Sequence, residues 1–365
     1  MDFQLNEEQT AINDMATSLF ADFTTDDKLL AFSNSGLTVM QEAWDSVNET
    51  GLDLLFVPED LGGSGLGIQE LSLILQAQGA YLAQVPVWRN QVAVRILYEH
   101  GDCEQILKKA VSEKLLFTLS NVSAVEANGI QLNLDVSGTV TGKVSAIADV
   151  KYSRYALLLA QTDTTQNLVV VDLNDSQINI VEGVATHGGS IADLYLVKVK
   201  PLIILDQNAV AKLQVFSIAA LASQQLGVSE RQLKRTVEYV NERVQFDRAI
   251  GTFQAVQMSL ADCQIAVEAL RSCLWQLNYK IDAQQPATPE AFATAYHACE
   301  TGHLVSHKAQ HVHGGFGVDI SYPIYRFLYW SRDIRASLGG SQGILAELGD
   351  WLSNNDTLGW KYDLE

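Results

Sequence analysis

A block of short strand-like runs, from about Glu113 to Leu205, separates two long segments of helical character and constrains the fold more than any other feature. These runs are β-branched or alternate apolar with polar residues, and Gly, Asn and Asp separate them. In the first segment apolar residues instead recur at helical spacing, as at Ile12, Ala16 and Leu19. We therefore expect an α+β multi-domain chain with three parts: an N-terminal helical domain (1–112), a middle β domain (113–205) and a C-terminal four-helix bundle (206–365).

The four helices of the last part are predicted from apolar stripes of the kind that bundles bury. The segment QQPATP, Gln284–Pro289, breaks the second of these helices from the third. The expected helices cover residues 209–245, 253–282, 289–313 and 323–354.

Charge and cysteine content narrow the class of protein. The 365 residues include 24 Lys plus Arg against 43 Asp plus Glu, a formal charge of −19. This balance argues against a nucleic-acid or anionic-membrane surface, so an anionic ligand must be held by a few local cations such as Arg243 and Arg248. The four cysteines form no CxxC pair, which argues against a zinc site and against a disulfide framework.

Nothing in the sequence resembles a targeting or membrane-spanning segment. The opening residues MDFQLNEEQTAIND are acidic and amphipathic, unlike a signal peptide. No apolar run approaches the length of a bilayer span. We expect a cytoplasmic protein without membrane insertion.

The stretch Tyr239–Gln257, YVNERVQFDRAIGTFQAVQ, carries a compact array of binding-type side chains. Arg243 supplies a planar positive fork that matches a phosphate or pyrophosphate. Phe246 and Phe253 can wall an aromatic surface such as adenine, and Gln254 can hydrogen-bond it. This stretch therefore predicts a nucleotide contact.

A second motif, QHVHGGFG at Gln310–Gly317, follows about sixty residues later. Its paired glycines remove the Cβ atoms where a backbone passes close to a ligand or another chain. Alone, a helical arginine is usually a solvated charge and GGxG is usually a turn. The two motifs therefore gain meaning only in combination.

Together and in this order, they resemble the acyl-CoA dehydrogenase family. There RxxFGxxIGxFQ and a later QxxGGxG clasp the adenine and pyrophosphate end of FAD across a subunit boundary. The resemblance extends, more weakly, over nearly the whole chain and includes a PEDLGGSG-like loop at Pro58–Gly67. It implies a flavoprotein oxidoreductase of lipid metabolism that acts on an acyl-CoA substrate and passes electrons to an electron-transfer flavoprotein. The residues that it places against FAD are Arg243, Phe246, Phe253, Gln254, Gln310, Gly314, Gly315 and Gly317.

The middle domain departs from the family pattern. The stretch LSNVSAVEANG, Leu119–Gly129, lacks the Glu-Pro and Gly-Ser-Asp elements of the TEPxxGSD-like flavin loop. Ser145 or Ala146 stands where the family usually has an aromatic residue beside the isoalloxazine ring. The resemblance thus implies that the flavin-facing chemistry of this domain is eroded.

The catalytic base of the family is also missing. Alignment of the small residues in WSRDIRASLGGSQG puts Gly339, or Leu338 with a one-residue shift, at the position of the late glutamate. Some members carry the base about ten residues before an LG pair, which is Leu226-Gly227 here, and Ser217 is nearest to that position. None of these residues can remove a proton from the substrate. We therefore expect no catalytic residue at either usual position.

Three carboxylates remain as candidates for a displaced base. Asp333 follows Arg332, which favours a structural ion pair. Glu347 lies about two helical turns beyond the expected position, and Glu230 follows the LG pair closely. A rescuing base among the three is the less favoured interpretation.

His303, His307 and His311 recur every four residues and so share one helix face. Although this is the spacing of a helical metal pair, no acid or cysteine ligand accompanies it. We expect a polar interface there and no metal site. His311 and His313 flank the glycine turn and are candidates for contact with phosphate or a neighbouring chain.

Two functions from different classes fit these signals. The favoured one is a subunit of a heteromeric, FAD-dependent acyl-CoA dehydrogenase of the steroid-catabolism type. In such an α2β2 assembly the second subunit supplies the base. The alternative is a homo-oligomeric, catalytically inactive relative with a binding or scaffold role. A self-sufficient enzyme with a displaced base is a third possibility.

Overall fold

The computed structural model describes residues 4–100, 103–120 and 131–355. The N-terminal helices are α1 (Glu7–Phe23), α2 (Asp26–Ser35), α3 (Gln41–Thr50), α4 (Ile68–Tyr81), α5 (Trp88–His100) and α6 (Glu104–Ser112). The strands that follow are β1 (Leu116–Leu119), β2 (Leu132–Leu134), β3 (Val140–Ala148), β4 (Ser153–Gln161), β5 (Gln166–Asp172), β6 (Ile178–Val184), β7 (Ser190–Val199) and β8 (Ile203–Leu205). The C-terminal helices are α7 (Gln207–Glu242), α8 (Gln254–Asp282), α9 (Thr288–His313), α10 (Ile324–Ser337) and α11 (Gly340–Asn354). This order of helices, sheet and helices confirms the predicted α+β fold class.

The sheet runs β6–β7–β3–β2–β4–β5–β8, and β1 pairs with β4 in parallel. Its central strands are buried on both faces, so apolar residues succeed one another instead of alternating with polar ones. The paired residues Leu157 and Val170 join the core shared with the helices. Their neighbours Leu158 and Val169 join a separate core within the β domain. One sheet thus holds the helical layers on one face and closes its own core on the other.

Helix α7 is the central element and is buried on all sides through its middle. It crosses α4 at two glycines that let the backbones touch. A Cβ on Gly227 would lie 1.9 Å from the Gln76 carbonyl oxygen, and one on Gly79 would lie 2.1 Å from that of Gln224. Within the described ranges, no helix has an apolar stretch long enough to cross a bilayer.

The last predicted helix, 323–354, is wrong as a single element. Helix α10 ends at Ser337, and α11 begins at Gly340. Between them Gly339 adopts φ +84°, a left-handed conformation that ends a helix and that favours glycine. The helical periodicity on either side concealed this break.

Polar side-chain contacts join the three parts of the fold. Tyr152, beside the sheet, shares a 2.6 Å hydrogen bond with Thr38 of the N-terminal helices. Arg89 of α5 pairs with Asp149 at 2.9 Å. These contacts fix the N-terminal helices against the β domain.

Candidate functional site

The predicted nucleotide-binding residues surround a cavity of about 760 Å³ between the end of α7, the start of α8 and the end of α9. Its walls include Arg243, Phe246, Phe253, Gly314 and Gly315. The two sequence motifs therefore meet in space. Three of the predicted residues, Gln254, Gln310 and Gly317, do not line the cavity.

A tight hairpin positions the first motif. After α7 the chain forms β9 (Val244–Gln245) and β10 (Arg248–Ala249), joined by Phe246 and Asp247. Both connecting residues have positive φ, +53° and +61°, as a type I′ turn requires. A phenylalanine in this conformation is strained, and its side chain is 87% exposed. Such strain is typical of binding sites, so we interpret the turn as one that presents Phe246 to a ligand or partner.

Aromatic and cationic side chains lie close together around this hairpin. Phe246 packs edge-to-face on Phe253, with ring centroids 6.2 Å apart. The Arg248 guanidinium lies 4.0 Å from the Phe253 ring centroid. Arg243 lies 5.5 Å from the Phe316 ring and pairs with no acid of the described chain. Arg243 is thus a free positive fork over an aromatic surface.

The glycine turn forms the opposite wall. Helix α9 ends at His313, and Gly314 takes φ +56° and ψ −128°. A Cβ on Gly314 or Gly315 would meet no heavy atom within 4 Å, so the backbone there is bare toward the cavity. A Cβ on Gly317 would instead lie 2.6 Å from Gln310 Oε1. The first two glycines therefore expose backbone, whereas Gly317 serves local packing.

His311, and not Gln310, lines the cavity. Both polar side-chain atoms of Gln310 are buried without a hydrogen-bond partner within the described chain. The sequence already indicates that His311, and not Gln310, lies at the cavity. Three residues separate Gln310 from the glycine pair, one more than in the family pattern, so His311 occupies the position of the family glutamine.

An aromatic cluster under the turn was not predicted. Tyr239 stacks on His313 with ring centroids 4.2 Å apart, and Phe316 and Tyr322 pack around them. His313 Nδ1 is 2.8 Å from the Ala309 carbonyl oxygen, and burial lowers the pKa of His313. A mainly neutral, stacked imidazole fixes the end of α9 against α7. In the sequence, Tyr239 lies one helical turn before Arg243, and this spacing indicates that both side chains lie on the same face of the helix.

The two usual base positions hold no carboxylate in the structure either. Gly339 forms the break between α10 and α11, and Leu338 is buried beside it. Ser217 is fully buried in α7, with no partner for its hydroxyl within the described residues. None of the three side chains can act as a general base of the carboxylate type.

The three candidate displaced bases are all engaged elsewhere. Asp333 lies 3.3 Å from His187; although burial raises its pKa, the contact with His187 and the nearby Arg89 hold that pKa below its usual value. Glu230 pairs with Arg271 at 2.6 Å, and burial raises its pKa. Glu347 accepts a 2.7 Å hydrogen bond from Gln214, and burial raises its pKa as well.

A second, smaller cavity lies where Ala146 replaces the expected aromatic residue. It measures about 260 Å³ and lies between the N-terminal helices, the sheet and α10. The pairs Arg89–Asp149 and His187–Asp333 both line it. Of the predicted loop Leu119–Gly129, residues 121–129 lie outside the described part of the chain. An Arg–Asp ion pair and a His–Asp contact therefore line the cavity beside Ala146.

The fold and the glycine-turn cavity define a class of protein. N-terminal helices, a central sheet and long C-terminal helices, with a cavity between an arginine-bearing hairpin and a glycine turn at the end of the first long helix, form the architecture of the flavin-dependent acyl-CoA dehydrogenases. The model of the acyl-CoA dehydrogenase N-terminal domain matches residues 6–113, and that of the C-terminal domain matches residues 216–349.

Individual relatives agree with these matches. The acyl-CoA dehydrogenase FadE27 of Mycobacterium tuberculosis is 33% identical over 334 residues, which cover 85% of this chain and 87% of that protein. A variant of the Tcur3481-Tcur3483 steroid ACAD is 32% identical, with a TM-score of 0.89 over 95% of this chain and 98% of that one. The ChsE4-ChsE5 complex of Mycobacterium tuberculosis is 28% identical, with a TM-score of 0.90 over 98% and 100%.

The chain belongs to the acyl-CoA dehydrogenase family. It is a flavoprotein of that family, whose members are oxidoreductases that use FAD. The resemblance inferred from the two motifs is thereby confirmed.

Proposed function

We propose that this chain is the non-catalytic, FAD-clasping subunit of a heteromeric acyl-CoA dehydrogenase. One contrast carries the proposal. The clasp cavity is open and keeps an unneutralised Arg243, whereas Gly339, Leu338 and Ser217 leave both base positions without a carboxylate. A chain that binds FAD of another subunit does not need a catalytic base of its own.

The closed region beside Ala146 supports the same proposal. Its volume of about 260 Å³ is below the range of about 300–1,000 Å³ that is usual for small-molecule sites. The Arg89–Asp149 ion pair also lies in its wall, and separation of that pair would leave a largely buried charge alone; Asp333 contacts His187 in the same wall. The flavin ring and the thioester would therefore lie in the β domain of the second subunit.

The clasp residues fit the adenosine diphosphate end of FAD. Arg243 would pair with the pyrophosphate, and Phe246 and Phe253 would wall the adenine. The bare backbone of Gly314 and Gly315 allows close approach of the ligand. Gln254, exposed at the first position of α8, lies at the rim, while Gln310 and Gly317 support the turn from below.

FAD, when bound, accepts the hydride from the β-carbon of an acyl-CoA thioester. In this proposal a glutamate of the second subunit removes the α-proton, and this chain holds the cofactor in place. The similarity to a steroid ACAD and to the ChsE4-ChsE5 complex favours a steroid-derived acyl group and an α2β2 assembly. We assign the re-oxidation of the flavin to an electron-transfer flavoprotein.

The test is the visible absorbance spectrum of the chain purified alone and co-purified with an acyl-CoA dehydrogenase-like chain encoded beside it. We expect a colourless single chain and a yellow complex with about one flavin per pair of unlike chains. Acyl-CoA should bleach the flavin only in the complex. A yellow single chain that is bleached by acyl-CoA would refute the half-site role, and flavin-free preparations of both would favour the scaffold alternative.

A further inference from the structure

Arg326, in the first turn of α10, is a buried cation without a counter-ion. Only 8% of the residue is exposed, and its Nε has no hydrogen-bond partner. None of the ion pairs in the described chain includes it, and its one charge-related contact is the Tyr325 ring at 5.3 Å. A buried charge left alone is costly, and the positive end of a helix makes a cation there less favourable still. A bound anion would therefore stabilise the Arg326 side chain in this position.

Arg326 lines a cavity of about 350 Å³ between α2, the turn from β6 to β7, and α10. Among the described residues, no Asp or Glu lines this cavity, although the protein carries a formal charge of −19. Its polar lining consists of the neutral side chains Ser33, Thr38, Gln84, Thr186, Tyr325 and Tyr329, with His187 and Arg326. The lining therefore offers hydroxyl and amide groups, and no carboxylate, to the Arg326 cation.

The wall also has a large apolar part. Leu29, Phe32, Leu37, Leu82 and Trp330 contribute its side chains. The volume lies within the usual range for small-molecule sites, which are mostly apolar with a few placed polar groups. A bare inorganic ion would leave that apolar space empty.

We propose that this cavity is a binding site for a small organic carboxylate with an apolar body, whose charge pairs with Arg326. The guanidinium fork matches a carboxylate in a two-point hydrogen-bonded pair. The apolar body lies against Phe32, Leu37 and Trp330. The site shares no lining residue with the FAD clasp, although Thr38, Gln84, His187 and Trp330 also line the cavity beside Ala146.

Calorimetric titration of the full chain with cyclohexanecarboxylate tests the proposal, with cyclohexanecarboxamide as the uncharged ligand of the same shape. The matched variants are Arg326→Met, which removes the buried charge, and Arg332→Met, which removes an exposed charge of the same helix. We expect the carboxylate to bind the wild type and Arg332→Met alike and to lose at least tenfold in affinity with Arg326→Met. The carboxamide should bind the wild type at least tenfold more weakly.

Thermal unfolding provides the second measurement. Arg326→Met should be at least as stable as the wild type without ligand, because it removes an uncompensated charge. Added carboxylate should raise the Tm of the wild type and leave that of Arg326→Met unchanged. Equal binding of acid and amide, no binding of the acid, or full binding by Arg326→Met would overturn the proposal. Tighter binding of inorganic phosphate than of the carboxylate would overturn the assignment of an apolar body.

Discussion

Arg243 is the residue on which the proposed contact between two subunits depends most. It is exposed at the end of α7 and lies over the Phe316 ring without an acidic partner in the described structure. An arginine that served the fold would be expected to pair with one of the many carboxylates on a chain of charge −19. Its isolation is consistent with a partner that arrives from another molecule.

Arg243→Met should weaken flavin retention in the proposed complex while leaving the fold intact. Loss of a desolvated arginine–pyrophosphate contact is expected to cost about 2–5 kcal/mol of binding free energy. Flavin dissociation can be followed by absorbance after dilution, with Arg332→Met as the control outside the cavity. Retention equal to that of the wild type would exclude the assigned role.

Two glycines of the same turn should respond differently to alanine. Gly317→Ala places a methyl group 2.6 Å from Gln310 Oε1 and 2.9 Å from its carbonyl oxygen, so we expect a loss of about 1–3 kcal/mol in stability. Gly315→Ala meets open space and should leave stability within about 0.5 kcal/mol of the wild type while impairing flavin retention. Urea unfolding and flavin content measure the two effects, and a reversed order would contradict the division between packing and ligand-facing glycines.

At the scale of elements, the break between α10 and α11 and the hairpin after α7 both depend on backbone with positive φ. Gly339 and Gly340 supply it in the break, and Phe246 and Asp247 supply it in the hairpin, which lines the clasp cavity. The glycines adopt it at little steric cost, whereas the phenylalanine is strained. The hairpin therefore has a backbone conformation that is unfavourable for folding but that exposes the Phe246 side chain.

Gly339→Ala and Gly349→Ala form a matched pair around this break. Alanine at position 339 is expected to destabilise the fold by about 1–2 kcal/mol, because its Cβ clashes in the left-handed conformation. Gly349 lies inside α11 with nothing within 4 Å, so alanine there should stabilise by about 0.5–1 kcal/mol. Thermal or urea unfolding separates the two, and equal effects would show that Gly339 does not depend on its positive φ.

At the scale of the whole molecule, polar contacts link the β domain to the helices in addition to the apolar core that the sheet shares with them. Arg89–Asp149 connects it to the N-terminal helices, and His187–Asp333 connects it to α10. Both pairs line the cavity beside Ala146. The walls of that cavity and part of the attachment of the domain therefore depend on the same pairs.

Arg89→Met should destabilise the protein more than Arg154→Met. The first leaves Asp149, whose side chain is only 16% exposed, without its partner, and we expect a loss of about 1–3 kcal/mol. The Arg154–Asp172 pair lies within the sheet, is more exposed and should contribute less than about 1 kcal/mol. Urea midpoints compare the variants; an equal loss would mean that the link between domains adds nothing beyond an ordinary surface pair.

The sequence alone determined the succession of helices, sheet and helices, the glycine motif, the arginine motif and the family. These features follow from short-range causes: apolar periodicity, the conformational freedom of glycine, and motif spacing along one chain. It also showed that both base positions lack a carboxylate, because residue identity suffices for that statement.

Only the tertiary structure decided which side chains meet. It placed His311 in the cavity instead of Gln310, gave Asp333 a partner in His187 rather than in the adjacent Arg332, and left Arg326 buried without one. Each outcome depends on packing between elements far apart in sequence, whose distances and burial no local pattern encodes. The break at Gly339 went undetected for a related reason, since two left-handed glycines, Gly339 and Gly340, separate two helices without altering the helical periodicity on either side.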